Sequence, residues 1–202
     1  MTVAGVLLAA GMSQRMGRPK ALLPYRGKTL LHRAAQTLCA TACSPRIVVV
    51  SPEVEEKSCW LRDEVDVALV VNPDPLRGLS SSLRLALDAI EAGEDTEAGA
   101  HVEGILITLV DQPLINSEHL KDVLAAGAAN GLAATSWPTA FGPPTFLCRS
   151  FFSALKELRG DEGAKKILQA NQHRVRLVDF PEAALDIDDP AAYERLLSGA
   201  KA

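Results

Sequence analysis

A chain of 202 residues, 48% hydrophobic and 23% charged, is long and apolar enough to bury one core, which excludes a disordered, collagen-like or coiled-coil protein. Aromatic residues make up only 4% while small aliphatics abound, a composition that suits helices packed on a parallel sheet rather than an all-β sandwich. The net charge of −4 argues against a general nucleic-acid or membrane binder, but it hides a division: residues 1–50 carry seven Lys/Arg and no Asp or Glu, and the remainder carries 14 basic against 25 acidic residues, so a +7 segment sits on a −11 body.

Short apolar runs at 3–8, 46–50, 67–71 and 104–110, bounded by Gly, Pro, Asn or Asp, are predicted as buried strands. Helices are predicted between and after them at 30–38, 54–62, 80–92 and 117–129; in the third, Leu83, Leu87 and Ile90 recur at helical spacing. Residues 93–103, acidic and rich in small side chains, are expected to form an exposed loop. Beyond Gly131 a strand is predicted at 132–135, a Pro/Gly-rich loop at 137–144 and an extended piece at 146–148. Helices at 150–158 and 161–170, a strand at 174–178 and a closing helix at 190–197 complete the chain. No repeat, low-complexity tract or long linker divides it, so one domain over 1–202 is expected. The βαβα order implies a three-layer α/β domain with a mostly parallel sheet, helices on both faces, and a ligand crevice beyond the carboxyl ends of the strands.

Four cysteines without a C-x-x-C pair and four scattered histidines point to neither a zinc site nor a disulfide framework, and fit a reducing compartment. The apolar run 3–12 is too short to span a bilayer and lacks the basic flank of a signal peptide, so a cytoplasmic protein is expected.

The stretch from Leu8 through Ala9, Ala10, Gly11, Ser13, Arg15 and Gly17 to Lys20 follows the first predicted strand directly. Glycines let such a loop turn tightly and aim N–H groups at an anion, while Arg15 and Lys20 add two fixed positive charges, the requirements of a nucleoside triphosphate pocket. Neither G-x-x-x-x-G-K-[ST] nor G-x-G-x-x-G is present. As a whole the string resembles the L-A-A-G-x-S-x-R-M-G-x-x-K signature of the MobA-like nucleotidyltransferases, particularly the molybdenum cofactor cytidylyltransferase (MocA-like) branch. The resemblance extends from Gly5 to Leu197 and implies a Rossmann-like nucleotidyltransferase fold. It also implies that Leu8, Ala9, Ala10, Gly11, Ser13, Arg15 and Lys20 bind the nucleotide, with Arg15 and Lys20 on its phosphates.

Four further segments carry the comparison. Leu106 to Pro113 is an apolar strand ending in Asp111; the Asp-Gln-Pro form is similar to the cytidylyltransferase branch, which makes Asp111 a catalytic residue and a Mg²⁺ ligand. Gly78 and the hydroxyls Ser80, Ser81 and Ser82 open a predicted helix, where one Ser is expected as an N-cap; the resemblance places Gly78 and Ser82 beside the nucleotide. The extended piece Asp186-Ile187-Asp188-Asp189-Pro190 contains carboxylates suited to capping the last helix, and in relatives its second acidic position approaches the metal. That position is Asp188, with Asp186 as the competitor. The elements at 140–147 and 158–168, including Asp161 and Lys165, resemble segments of the branch that face the acceptor.

What the resemblance implies is a Mg²⁺-dependent transferase that moves CMP from CTP to a phosphate oxygen of molybdopterin with release of pyrophosphate, with an apo-molybdoenzyme as a further partner. Two alternatives stay open at this point: a GTP-dependent or other NTP-dependent enzyme with another phosphorylated acceptor, and a non-catalytic protein that carries molybdenum cofactor.

Overall fold

A computed structural model describes residues 1–95 and 101–199. The first strand, β1 (Val3–Ala9), is buried along its whole length. Such a strand can exist only with helices over both faces, and its side chains divide accordingly: Val3, Leu7 and Ala9 enter one core cluster, Ala4, Val6 and Leu8 the other. A two-stranded ribbon follows, β2 (Pro24–Tyr25) with β3 (Lys28–Thr29). Next come α1 (Leu30–Cys39), β4 (Arg46–Val50), α2 (Pro52–Ser58), α3 (Leu61–Glu64), β5 (Ala68–Val71), α4 (Leu79–Glu94) and β6 (Gly104–Leu109). The second part of the chain gives α5 (Ser117–Asn130), β7 (Leu132–Trp137), β8 (Ala140–Cys148), α6 (Phe152–Glu157), α7 (Ala164–Ala170), β9 (Arg176–Asp179) and α8 (Pro190–Ser198).

The seven-stranded sheet runs β5-β4-β1-β6-β8-β7-β9. Strands β5, β4, β1 and β6 are mutually parallel, β8 is antiparallel to both β6 and β7, and β9 is parallel to β7. The expected three-layer, mostly parallel α/β domain is therefore present. Buried side chains of α1, α5 and α8 pack on one face of the sheet, those of α4, α6 and α7 on the other. The approach of α5 is set by Gly127: a Cβ there would meet the Phe146 ring at 2.1 Å, so the helix lies directly on β8.

The structure corrects several local expectations. Residues 137–144 are not a loop: β7 and β8 form a hairpin through them. Pro143 and Pro144 fit because the register jumps from Ala134↔Thr145 to Thr135↔Gly142, leaving both prolines in a bulge where no ladder N–H is required. The helix predicted at 54–62 is two short helices, with Ser51 capping the first through the Val54 N–H. Of the loop predicted at 93–103, α4 takes the start, 96–100 lie outside the described residues, and Val102 is buried beside an Arg149–Glu94 ion pair with two contacts of 2.7 and 2.9 Å. Among the described residues no helix is long and apolar enough to cross a membrane.

Candidate active site

The carboxyl ends of β1 and β6 open into a cleft of ≈ 590 Å³. Past β1 the chain doubles back on itself at Ser13, whose φ of 49° lies in the left-handed region. The Ser13 hydroxyl donates to the Gly11 carbonyl at 3.3 Å and accepts the Lys20 backbone N–H at 3.0 Å, while Met16 N–H donates to the Ser13 carbonyl at 2.8 Å. Ser13 thus fixes the backbone from which Lys20 departs. A short 3-10 turn then buries Ala21, which anchors Lys20 from the other side.

Asp111 follows β6, one residue beyond Val110, whose N–H donates to the Leu8 carbonyl at 3.2 Å. The segment before α8 runs alongside it: Ile187 N–H donates to the Asp111 carbonyl at 3.0 Å. Leu185 and Ile187 are buried while Asp186 and Asp188 alternate with them on the outer side. Capping of α8 falls to Asp189, which accepts the Ala192 N–H at 2.7 Å, so the carboxylate of Asp188 is left for the cleft. Asp186 does not line the cleft; partial loss of water, reinforced by the charges of Asp111 and Asp188, pushes its carboxyl up to about 6.

Lys20 closes this arrangement. Its Nζ lies 2.6 Å from Asp188 Oδ1 and 3.4 Å from Asp111 Oδ2, with only 13% of the lysine side chain exposed. The sequence assigns Lys20 to the phosphates alone; the structure shows it enclosed and paired with carboxylates, because residues 91 and 168 positions away fold against it. Burial raises the Asp111 carboxyl above the usual range, and the Lys20 charge opposes that rise. Asp111 Oδ1 is buried without a hydrogen-bond partner. A buried, unsatisfied carboxylate oxygen on the cleft floor is a costly feature unless a ligand completes it, and hard oxygen donors at Asp111 and Asp188 suit a divalent cation. Among the described residues no group of three or more His, Cys, Asp or Glu is placed to hold a metal.

The remaining lining comes from the turn before α4 and from the loop before α7. Gly78, with φ of 86°, lies against Gly160: a Cβ would stand 2.3 Å from the Gly160 carbonyl carbon and 2.7 Å from the Asp161 nitrogen. Ser80 N–H donates to the Gly160 carbonyl at 3.0 Å, which locks the two loops together and delivers Asp161 to the cleft. None of the three hydroxyls is the expected N-cap, a position held by Gly78; Ser81 donates to the Gly78 carbonyl at 2.7 Å and Ser82 accepts from Asn72 Nδ2 at 3.0 Å.

Of the predicted nucleotide-binding set, Leu8, Ala10, Gly11, Ser13, Arg15, Lys20, Gly78 and Ser82 line the cleft, as do Asp111 and Asp188. Ala9 does not: alternation along β1 turns its methyl into the core. Asp161, expected on the acceptor side, lines the same cleft, while sequence reasoning missed Met12 and Leu76, two exposed apolar side chains that carry no chemical signal. Of the seven basic residues in the first quarter of the chain, Arg15 and Lys20 reach this cleft, while Arg46 pairs with Asp66 at 2.6 Å and Arg26 and Arg33 stand over the Tyr25 ring.

The MobA-like NTP transferase domain matches residues 5–175. Nicotine blue oxidoreductase of Paenarthrobacter nicotinovorans is 31% identical, covering 96% of each chain, and the purine catabolism protein PucB of Bacillus subtilis is 32% identical, covering 94% of this chain and 93% of its own. A probable molybdenum cofactor guanylyltransferase of Opitutus terrae is 28% identical over 89% of this chain and 85% of its own. Among solved structures, Rv0371c of Mycobacterium tuberculosis superposes with a TM-score of 0.78 at 29% identity, covering 98% of this chain and 99% of its own; the same protein in complex with manganese gives 0.75 at 28% identity, covering 98% of each chain.

Proposed function

The chain belongs to the MobA-like NTP transferase family, a family of nucleotidyltransferases, and from that premise we propose that it transfers CMP from CTP to a phosphate oxygen of molybdopterin, releasing pyrophosphate. The observation that carries the reading is the Lys20–Asp111–Asp188 cluster, at 2.6 and 3.4 Å, on the floor of a cleft rimmed by a glycine loop. The cluster supplies what nucleotidyl transfer needs, which is positive charge for a triphosphate and oxygen donors for a divalent ion, without any nucleophile of the protein's own. The Asp111-Gln112-Pro113 form favours cytidylyl over guanylyl transfer, by resemblance to the cytidylyltransferase branch.

In this reading Arg15, exposed on the loop, grips phosphate oxygens with its guanidinium fork, and Lys20 places a compact charge on the departing pyrophosphate. Asp111 and Asp188 hold Mg²⁺ or Mn²⁺, which neutralises phosphate charge when bound. The acceptor's phosphate oxygen forms a bond to the α-phosphorus as the bond to the pyrophosphate oxygen breaks, and the electron pair leaves with pyrophosphate. Ser13 holds the loop and the Lys20 backbone in place. The cleft faces of Leu76 and Leu79, with the hydroxyl of Ser82, supply an apolar bed with a polar edge for a flat base.

A guanylyltransferase-named relative makes GTP the second candidate. Pyrophosphate release measured with CTP, GTP, ATP and UTP, each with molybdopterin, tests both: turnover with CTP above the others is expected, GTP preference moves the assignment to guanylyl transfer, and no turnover with any nucleotide favours a cofactor-carrying protein.

A further inference from the structure

The ammonium of Lys20 touches the two carboxylates from which a divalent cation would have to be held, at 2.6 Å from one and 3.4 Å from the other. A metal bonded to Asp111 Oδ2 and Asp188 Oδ1 at about 2.1 Å would have to take the place of that ammonium, because both cations cannot use the same two oxygens at contact distance. Among the described residues no group of three or more His, Cys, Asp or Glu is placed to hold a metal, so in this reading an ion at the cleft depends on the same two carboxylates whose oxygens Lys20 contacts. An ion such as Mg²⁺ prefers six oxygens, and with two carboxylates the rest must come from water and from phosphate.

The backbone of Lys20 is fixed by the Ser13 hydroxyl at 3.0 Å, so what can move is the side chain. A triphosphate entering past Arg15 offers that side chain a stronger anion than either aspartate, since it carries several charges where each carboxylate carries one. Once Lys20 turns to the phosphates, Asp111 and Asp188 are left with two uncompensated charges, one of them on a carboxylate whose Oδ1 has no partner.

We propose that Lys20 stands in for the divalent cation while the cleft is empty and gives up that place to the metal when a nucleoside triphosphate arrives, so that metal and nucleotide bind as one coupled event. The proposal rests on the reading above in which Asp111 and Asp188 take the metal. It makes Lys20 the reason that free metal is refused, in addition to its contact with phosphate. By linkage, the nucleotide must raise the affinity for metal by the same factor as the metal raises that for nucleotide.

Mn²⁺ is the probe. Its binding to the ligand-free protein is followed through the paramagnetic resonance signal of the free ion, for the wild type, Lys20→Gln and Lys20→Met, with thermal melts as a check of folding. Weak binding is expected for the wild type, and binding at least about tenfold tighter for the Lys20 variants, the scale of an ordinary coupling between sites. Equal binding by wild type and Lys20→Gln overturns the stand-in role. So does wild-type protein that binds Mn²⁺ as tightly without CTP as with it, a comparison that needs no variant. Asp111→Asn separates this failure from failure of the metal reading: if it retains Mn²⁺ together with CTP as the wild type does, the aspartate pair is not the metal site; if it loses Mn²⁺ while wild type and the Lys20 variants bind alike, the site stands and only the stand-in role falls.

Discussion

The two halves of the sheet treat ionisable side chains in opposite ways. At the ends of β1 and β6, in the parallel half, Asp111, Asp188 and Lys20 are gathered into a partly enclosed cluster that leaves one carboxylate oxygen unpartnered. In the antiparallel extension, a buried imidazole is accommodated by the fold: His119 stacks on Phe180 at 4.4 Å, its Nε2 lies 2.8 Å from Thr135 Oγ1, and that hydroxyl donates to the Pro144 carbonyl at 2.9 Å. With the hydroxyl proton committed to Pro144, Nε2 is the donor to Thr135, and burial lowers the pKa of the ring against the weaker pull of Asp122, Asp179 and Glu182. The charged cluster leaves a carboxylate oxygen of Asp111 unpartnered beside an open cleft, whereas the His119 ring is seated against partners supplied by the fold itself.

The sharpest test of that contrast lies within the charged cluster. Lys20→Ala is expected to cut turnover about a hundredfold, the usual cost of one charge-stabilising contact. It is also expected to lower the melting temperature, since removing the ammonium strands Asp111 in an enclosed site at a cost of about 2 kcal/mol. Asp111→Asn is expected to lose turnover at least as severely with the opposite effect on stability: an unchanged or raised melting temperature, because an amide avoids the burial penalty that raises this carboxyl. A stable, inactive Asp111→Asn beside a weakened Lys20→Ala is the predicted pair; a destabilised Asp111→Asn with full turnover would assign the aspartate to the fold instead.

The wall that joins the halves is next in size. Gly78→Ala must push a methyl into the Gly160 backbone, 2.3 Å away, from a φ that only glycine adopts freely. A loss of about 3 kcal/mol is expected in denaturant unfolding, together with a raised KM for nucleotide as the cleft wall at Gly78 shifts. Unchanged stability would show that the two loops yield easily.

The smallest effect belongs to the neutral region. Unfolded histidine titrates near pH 6.5, whereas folded His119 resists protonation, so the unfolded chain takes up a proton that the folded chain refuses. Stability from this residue is therefore fully present above that pH and is lost as pH falls below about 6.5. Melting curves between pH 7.5 and 5.5 should show a decline in the wild type that His119→Gln flattens; identical slopes would mean that His119 carries no part of the acid sensitivity.

The sequence determined much of this on local grounds. Buried runs such as 3–9 can be read directly because a strand covered on both faces has to be apolar throughout, and the loop at 11–20 can be read because an anion pocket requires glycine and positive charge close together in the chain. Tertiary structure decided what depends on distant partners. Pro143 and Pro144 read as loop until β7 places a bulge opposite them, and Ala9 reads as part of the pocket until strand alternation turns it inward. That Asp188 and not Asp186 lines the cleft is visible only once the last segment lies beside Asp111, and Lys20 reads as a phosphate ligand alone until the chain returns 168 residues later to pair with it. Local spacing encodes which groups can turn or bury, but the compensation of one charge by another is a property of three-dimensional proximity, and only the fold brings those charges together.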